Sequence, residues 1–278
     1  MRFQGYLQPL INRLLYGNLW IACMAAVQPH FAAFLLQRPP LPRLDLFLFV
    51  ATLAYYNLDR WVDLWFHRSS NQRLVWLRAH AGEWLLFTVL PGILAAFIFI
   101  LLSQSIQWAL VGGAGIALLY SIPARFAFAP KRIGWLKPLL VAGVWTWVGP
   151  GMLVLETGHW TMTQLLLTVG YFAWMVCLSL VFEWRDRQQD GQFRTANIWR
   201  NRSLFQLLVA LTFLHAVTAY LFLLFSYLNP FICLFAFGLS LGISIWAAWR
   251  ERAWMYLFWV DGLLLLVPGL LWLGQRFG

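Results

Sequence analysis

Polar positions along this chain fall into short clusters between long apolar runs. A helix needs about 20 apolar residues to cross the hydrocarbon of a bilayer. On that measure runs appear near 17 to 37, 44 to 59, 84 to 103, 106 to 122, 136 to 155, 162 to 182, 203 to 226, 230 to 249 and 254 to 273, which predicts nine spans. Several contain Pro or Gly: Pro29, Pro91-Gly92, Gly112-Gly113-Ala114-Gly115 and Gly149-Pro150-Gly151. Bundled helices tolerate these because neighbours re-satisfy the backbone and small residues allow close approach. The predicted fold is all-α, a polytopic membrane protein of nine transmembrane helices forming a single transmembrane domain over 1–278. An amphipathic segment over 1–16 precedes the spans, with Arg2 and Arg13 among apolar residues. No cleavable signal sequence is expected, and the mature chain is expected to start at Met1. Loops over 60–83, 123–137 and 184–202 are expected to cap the bundle on one side.

Composition agrees with the pattern. The 278 residues are 62% hydrophobic and 11% charged, with 18 Trp and 23 Phe, and the mean hydropathy is +0.69. So many apolar side chains exceed what one aqueous core can hide, so most must face lipid. Cys23, Cys177 and Cys233 all fall inside apolar runs, which makes them small core residues and excludes a CxxC redox or metal motif.

Charge sets the expected orientation. Seventeen of the 20 Lys and Arg lie in the N-terminal segment or in the connections after spans two, four, six and eight. The positive-inside rule therefore puts the N-terminus and those connections in the cytoplasm, with the chain in the cytoplasmic membrane of a bacterium. The net charge of +10 is mainly a topology signal, with attraction to anionic lipid headgroups as a by-product. No helix-turn-helix, zinc or RNA-binding signature is present, so nucleic acid is not an expected partner.

The acids are distributed differently. Five of the ten lie at two span ends: Asp59 and Asp63 in AYYNLDRWVDLWFH, and Glu183, Asp186 and Asp190 in LVFEWRDRQQDGQFRT. Spacings of three and four stack carboxylates on one helical face, where like charges repel unless a cation lies between them. Helix C-termini disfavour anions as well. Facing clusters of this kind suit Mg2+, which binds through one or two carboxylates, waters and phosphate oxygens. The competing reading is local: Asp59 and Asp63 pair with Arg60 or Arg68, and Asp186 with Arg185, Arg187 or Arg194, as interfacial ion pairs. A third connection, YSIPARFAFAPKRIGWLKP, carries Arg125, Lys131, Arg132 and Lys137 with no acid among them, which would suit a diphosphate leaving group.

These residues resemble the UbiA superfamily of intramembrane prenyltransferases, whose members have nine helices and two aspartate-rich motifs on cytoplasmic connections. The family pattern Asn-Asp-x-x-Asp-Arg-x-x-Asp is matched here by Asp59-Arg60-x-x-Asp63, followed by His67-Arg68-Ser69. Its second motif is matched by Glu183-x-x-Asp186-x-x-x-Asp190, followed by Arg194-Thr195. The family's Tyr-x-x-x-Lys-Arg element looks like Tyr120 through Arg125. The sequence departs from the family where Tyr55 and Tyr56 replace Asn-Asp, with Asn57 displaced by two positions, and where Phe182 and Glu183 replace the second Asn-Asp.

The resemblance implies Mg2+-dependent transfer of a prenyl group from an allylic prenyl diphosphate to a small aromatic or otherwise lipophilic acceptor. It further implies Asp59, Asp63, Glu183, Asp186 and Asp190 as metal ligands, with the four aspartates catalytic. Substrate binding would fall to Asn57, Arg60, Arg68, Tyr120, Arg125, Lys131, Arg132 and Arg194. Tyr55, Tyr56, Trp145, Trp147 and Trp174 could shelter an allylic cation, although Trp and Tyr are also expected at bilayer interfaces. The alternative is a non-catalytic lipid-binding or transport protein of similar architecture, for which polar residues near the midplane and internal repeats would be expected. His215 is expected to make a structural hydrogen bond within its span.

Overall fold

The computed structural model describes residues 11–66, 72–122, 130–192 and 196–277. Among them all regular structure is helical, and each of the nine apolar runs carries helix: α1 (Leu19–Leu35), α2 (Pro42–Phe66), the short α3 (Gln72–Ala79), α4 (Ala81–Ile100), α5 (Gln104–Ser121), α6 (Leu136–Thr146), α7 (Met152–Thr157), α8 (Met162–Gln192), α9 (Leu204–Phe225), α10 (Pro230–Arg250) and α11 (Asp261–Phe277).

Among the described residues, six helical stretches are long and apolar enough to cross a membrane: Ala81–Ile100, Leu136–Glu156, Met162–Arg187, Leu204–Phe225, Pro230–Arg250 and Tyr256–Arg276. Six of the nine predicted spans meet this measure among the described residues. The remaining runs fall short for different reasons. α1 has 17 residues, about 26 Å of helix against a core of about 30 Å. α2 includes Arg43, Asp45, Asp59, Arg60 and Asp63 in its 25 residues. The 18 residues of α5 are diluted by Gln104, Ser105, Gln107, Ser121 and three Gly.

Helices also run past the apolar runs that predict them. α2 continues to Phe66 and α8 to Gln192, because no Pro or Gly intervenes to stop them until Gly191. All five motif acids thus lie on helix.

The chain divides into two compact units, residues 1–27 with 41–103, and residues 28–40 with 104–278. In the first, α2 lies against α4 through Val50, Ala95 and Ile98, and Trp61 stacks on Trp84 with ring centroids 4.8 Å apart and planes at 10°. Gly17 and Asn18 turn the chain into α1, with Asn18 at φ 62°, a left-handed conformation that Asn tolerates better than most residues.

In the second unit α8 packs along α6 and α9. Its centre is aromatic: Trp174 meets Phe31, Tyr171 and Phe237 edge-on, and Phe222 meets Phe237 at 5.0 Å. Between α6 and α7 the Gly149-Pro150-Gly151 stretch forms a π turn, with Gly149 at φ −86° and ψ −106°. A Cβ on Gly149 would come within 3.3 Å of the Tyr171 hydroxyl. His215 is held as expected. Its Nδ1 donates to the Leu211 carbonyl at 2.9 Å, and its Nε2 meets Ser240 Oγ at 3.0 Å. Ser240 Oγ also accepts from Trp174 Nε1 at 3.1 Å.

Candidate functional site

The first acidic motif belongs to the first unit. Asp59 and Asp63 are four residues apart on α2 and so share a helical face. Asp59 is partly buried, with its carboxylate 3.5 Å from Arg60 Nη2. The Asp63 side chain and the whole of Arg68 lie outside the described residues.

Asn57 is placed very differently from a surface ligand. It is fully buried. Its Oδ1 accepts from Asn18 Nδ2 at 2.7 Å and from Trp84 Nε1 at 2.9 Å, and its Nδ2 donates to the carbonyls of Gly17 at 3.3 Å and Phe87 at 3.1 Å. These four bonds use the full capacity of the amide. The Phe87 bond has a specific cause. In α4 the donor owed to the Phe87 carbonyl is the backbone N–H of residue 91, and residue 91 is Pro, which has none.

The second motif belongs to the second unit, on the last turns of α8. Asp186 is forked by its neighbour Arg185, with Nε on Oδ1 at 2.6 Å and Nη2 on Oδ2 at 3.0 Å. The same guanidinium lies 4.9 Å from the Phe182 ring and 5.5 Å from the Tyr256 ring. Arg187 reaches Glu251 at 2.7 Å and lies over Trp184. Glu183 is buried and paired with Lys137, Nζ to Oε1 at 2.8 Å. Asn197 Nδ2 donates to the Glu183 carbonyl at 2.7 Å and to its Oε2 at 3.2 Å. The Asp190 side chain, with Arg194 and Thr195, lies outside the described residues.

Of the basic connection, Lys131 and Arg132 form a 3-10 turn with Pro130. Arg132 is exposed and Tyr120 half-buried, while Arg125 and the Lys131 side chain are outside the described residues. Trp174 is fully buried in the aromatic core. Trp147 donates to the Ala109 carbonyl at 2.9 Å and, with Thr146, Trp160, Thr168 and Phe172, lines an apolar cavity of about 250 Å3. Tyr55 and Tyr56 meet edge-on at 5.9 Å.

Among the described residues no three His, Cys, Asp or Glu side chains converge on one point. Mg2+ requires fewer protein ligands than that, so the donors are judged singly. Asp59 and Asp186 keep partly exposed carboxylates and suit the ion, the second once Arg185 releases it. Glu183 does not fit, because Lys137 and Asn197 occupy both of its oxygens. Sequence reasoning counts Lys137 among the diphosphate-facing cations and passes over Asn197. Lys137 stands 46 positions before Glu183 in the chain, and no local spacing joins them.

An all-helical integral membrane protein with acids ending two long helices is the class that fold and site define. No family model matches the chain, and no solved structure matches it. Over 128 residues it is 30% identical to a 4-hydroxybenzoate octaprenyltransferase of Alcanivorax borkumensis, a stretch amounting to 44% of this chain and 42% of that protein. The match thus spans less than half the length of that curated relative. This distant likeness supports the resemblance carried by the two acidic motifs.

Proposed function

We propose that this protein transfers a prenyl group from an allylic prenyl diphosphate to a lipophilic acceptor within the membrane, with Mg2+ as cofactor. The observation that carries the proposal is the 128-residue likeness to a protein named as an octaprenyltransferase, and both acidic motifs point the same way. Asp59, Asp63, Asp186 and Asp190 would hold Mg2+. When bound, the ion offsets the charge that develops on the diphosphate as its bond to the allylic carbon weakens. Arg60, Arg68, Arg125, Lys131, Arg132 and Arg194 add positive charge toward the same leaving group, and Tyr120 is a candidate hydroxyl donor to it. The prenyl chain of the donor and the prenylated product are both lipophilic, which accounts for a catalyst built of membrane helices.

The test uses membranes containing the full chain, isotopically labelled prenyl diphosphates of several lengths and 4-hydroxybenzoate as the first acceptor. Transfer should require Mg2+, and Asp59→Asn and Asp186→Asn should each lower it by at least about a hundredfold, as expected for groups that act on transition-state charge. Turnover without divalent cation, or full activity in both variants, overturns the proposal.

A further inference from the structure

Three chain segments meet at Glu183: the end of α8, the first turn of α6 and the connection before α9. Lys137 Nζ holds one carboxylate oxygen of Glu183 at 2.8 Å, with both side chains only 7% exposed. Asn197 holds the other oxygen and the backbone carbonyl of the same residue. The Asn197 Oδ1 in turn accepts from the Trp199 amide at 2.8 Å, and Trp199 packs edge-on against Trp184, ring centroids 6.3 Å apart. The backbones are in close apposition too. A Cβ on Gly134 would lie 3.1 Å from the Ile198 nitrogen and 3.2 Å from the Asn197 carbonyl carbon.

Two opposite charges removed from water persist only when each is compensated and hydrogen-bonded, and here both conditions are met by protein groups. An ion seeking Glu183 would have to displace an ammonium from one oxygen and an amide from the other. Glu183 also stands three residues before Asp186 and seven before Asp190, so all three occupy one face of α8.

We propose that Glu183, Lys137 and Asn197 form a clamp, built on the buried Glu183–Lys137 pair, that fixes the acidic end of α8 to the first turn of α6 and to the connection before α9, so that Glu183 is a positioning residue and not an ion ligand. The assignment of Asp186 and Asp190 to an ion site rests on the function proposed above; the clamp does not.

The experiment uses the detergent-solubilised full chain and two readouts independent of turnover. The first is the rate of trypsin cleavage after Arg200 and Arg202, exposed residues just beyond the clamp, followed by mass spectrometry. The second is Mn2+ binding by electron paramagnetic resonance. Glu183→Gln and Lys137→Met each leave a buried charge without its partner and should speed cleavage by about tenfold or more. The double variant removes both charges at nearly constant shape, so cleavage should return to within about twofold of the parent. The Mn2+ affinity of the double variant should equal that of the parent, including the case in which neither binds.

Single variants that cleave at the parent rate, or a double variant as labile as the singles, overturn the clamp. A double variant that resists trypsin but binds Mn2+ at least about tenfold more weakly makes Glu183 a ligand. Absence of prenyl transfer in the parent sinks the proposed function and leaves both readouts to decide the clamp.

Discussion

Replacing Asn57 with Ala should be among the most damaging single changes in the first unit, and the structure sets the scale. The change orphans Trp84 Nε1, removes a partner from Asn18 Nδ2, and takes from the Phe87 carbonyl the donor that stands in for Pro91. Trp84 is 1% exposed and Asn18 2%, so water does not readily substitute. At about 1–3 kcal/mol for each buried polar group left unmatched, and allowing for partial relaxation, the loss is about 3–5 kcal/mol. A domain of this size loses about 2–4 °C of Tm per kcal/mol, which puts the fall at roughly 6–20 °C. The assay is thermal melting of the solubilised protein by intrinsic fluorescence, for which its 18 Trp are ample. Two companions sharpen it. Asn57→Asp sets a carboxylate against the Gly17 and Phe87 carbonyls and should be as harmful as Ala, whereas an ion-ligating Asn57 would accept Asp with little change in Tm. In a Pro91→Ala background the helix regains a donor for Phe87, so the penalty of Asn57→Ala should shrink by about 1–2 kcal/mol. A fall below about 2 °C for Asn57→Ala, or an unchanged penalty beside Pro91→Ala, refutes the reasoning.

The second unit gives two further tests by the same melting assay. Gly274→Ala would drive a Cβ into the side chain of Ile232, within 2.6 Å of its Cγ2. This overpacking costs about 1–3 kcal/mol, more than the gain of up to about 1 kcal/mol in helix propensity, and Ile232→Ala in the same chain should recover most of it. Gln28→Met should lower Tm by several degrees, since Gln28 Nε2 donates to the Leu264 carbonyl at 2.8 Å and its Oε1 accepts from the Tyr171 hydroxyl; the effect should diminish beside Pro268→Ala.

The positions of helices were legible in the sequence because apolar runs of about 20 residues carry their own length signal. The number able to cross a membrane was not, because α2 and α5 mix polar and apolar residues in proportions that a run of letters does not weigh. Asp59 with Arg60 and Asp186 with Arg185 were readable as local pairs, being neighbours in the chain. Asn57 was misleading. Its place near the first acidic pair groups it with the substrate-binding residues, and only its closeness in space to Asn18, Trp84 and Phe87 reveals its use. Lys137 and Glu183 illustrate the same limit, since a pair 46 positions apart leaves no periodic trace. The reading of Pro91 as tolerable because neighbours re-satisfy the backbone did hold, and the neighbour is Asn57.

That last point recurs in the second unit and explains how so apolar a chain specifies its packing. Pro268 in α11 withholds an N–H from the carbonyl of Leu264, four residues earlier, and Gln28 supplies the missing donor. In both units a buried amide meets the carbonyl orphaned by a proline. Between helices in lipid, apolar contact discriminates little, because the acyl chains are as apolar as Leu. A carbonyl with no donor in hydrocarbon is costly, and only one register of the partner helix brings the amide to it. The prolines thus create an addressable vacancy, and Asn57 and Gln28 answer it. The same reasoning extends to Glu183, whose charge is compensated by one lysine and one asparagine in one arrangement of three segments. Asn57, Gln28 and Glu183 are thus buried polar residues whose partners set geometry inside a unit, whereas Asp59 and Asp186 keep partly exposed carboxylates, the property the proposed function requires of them.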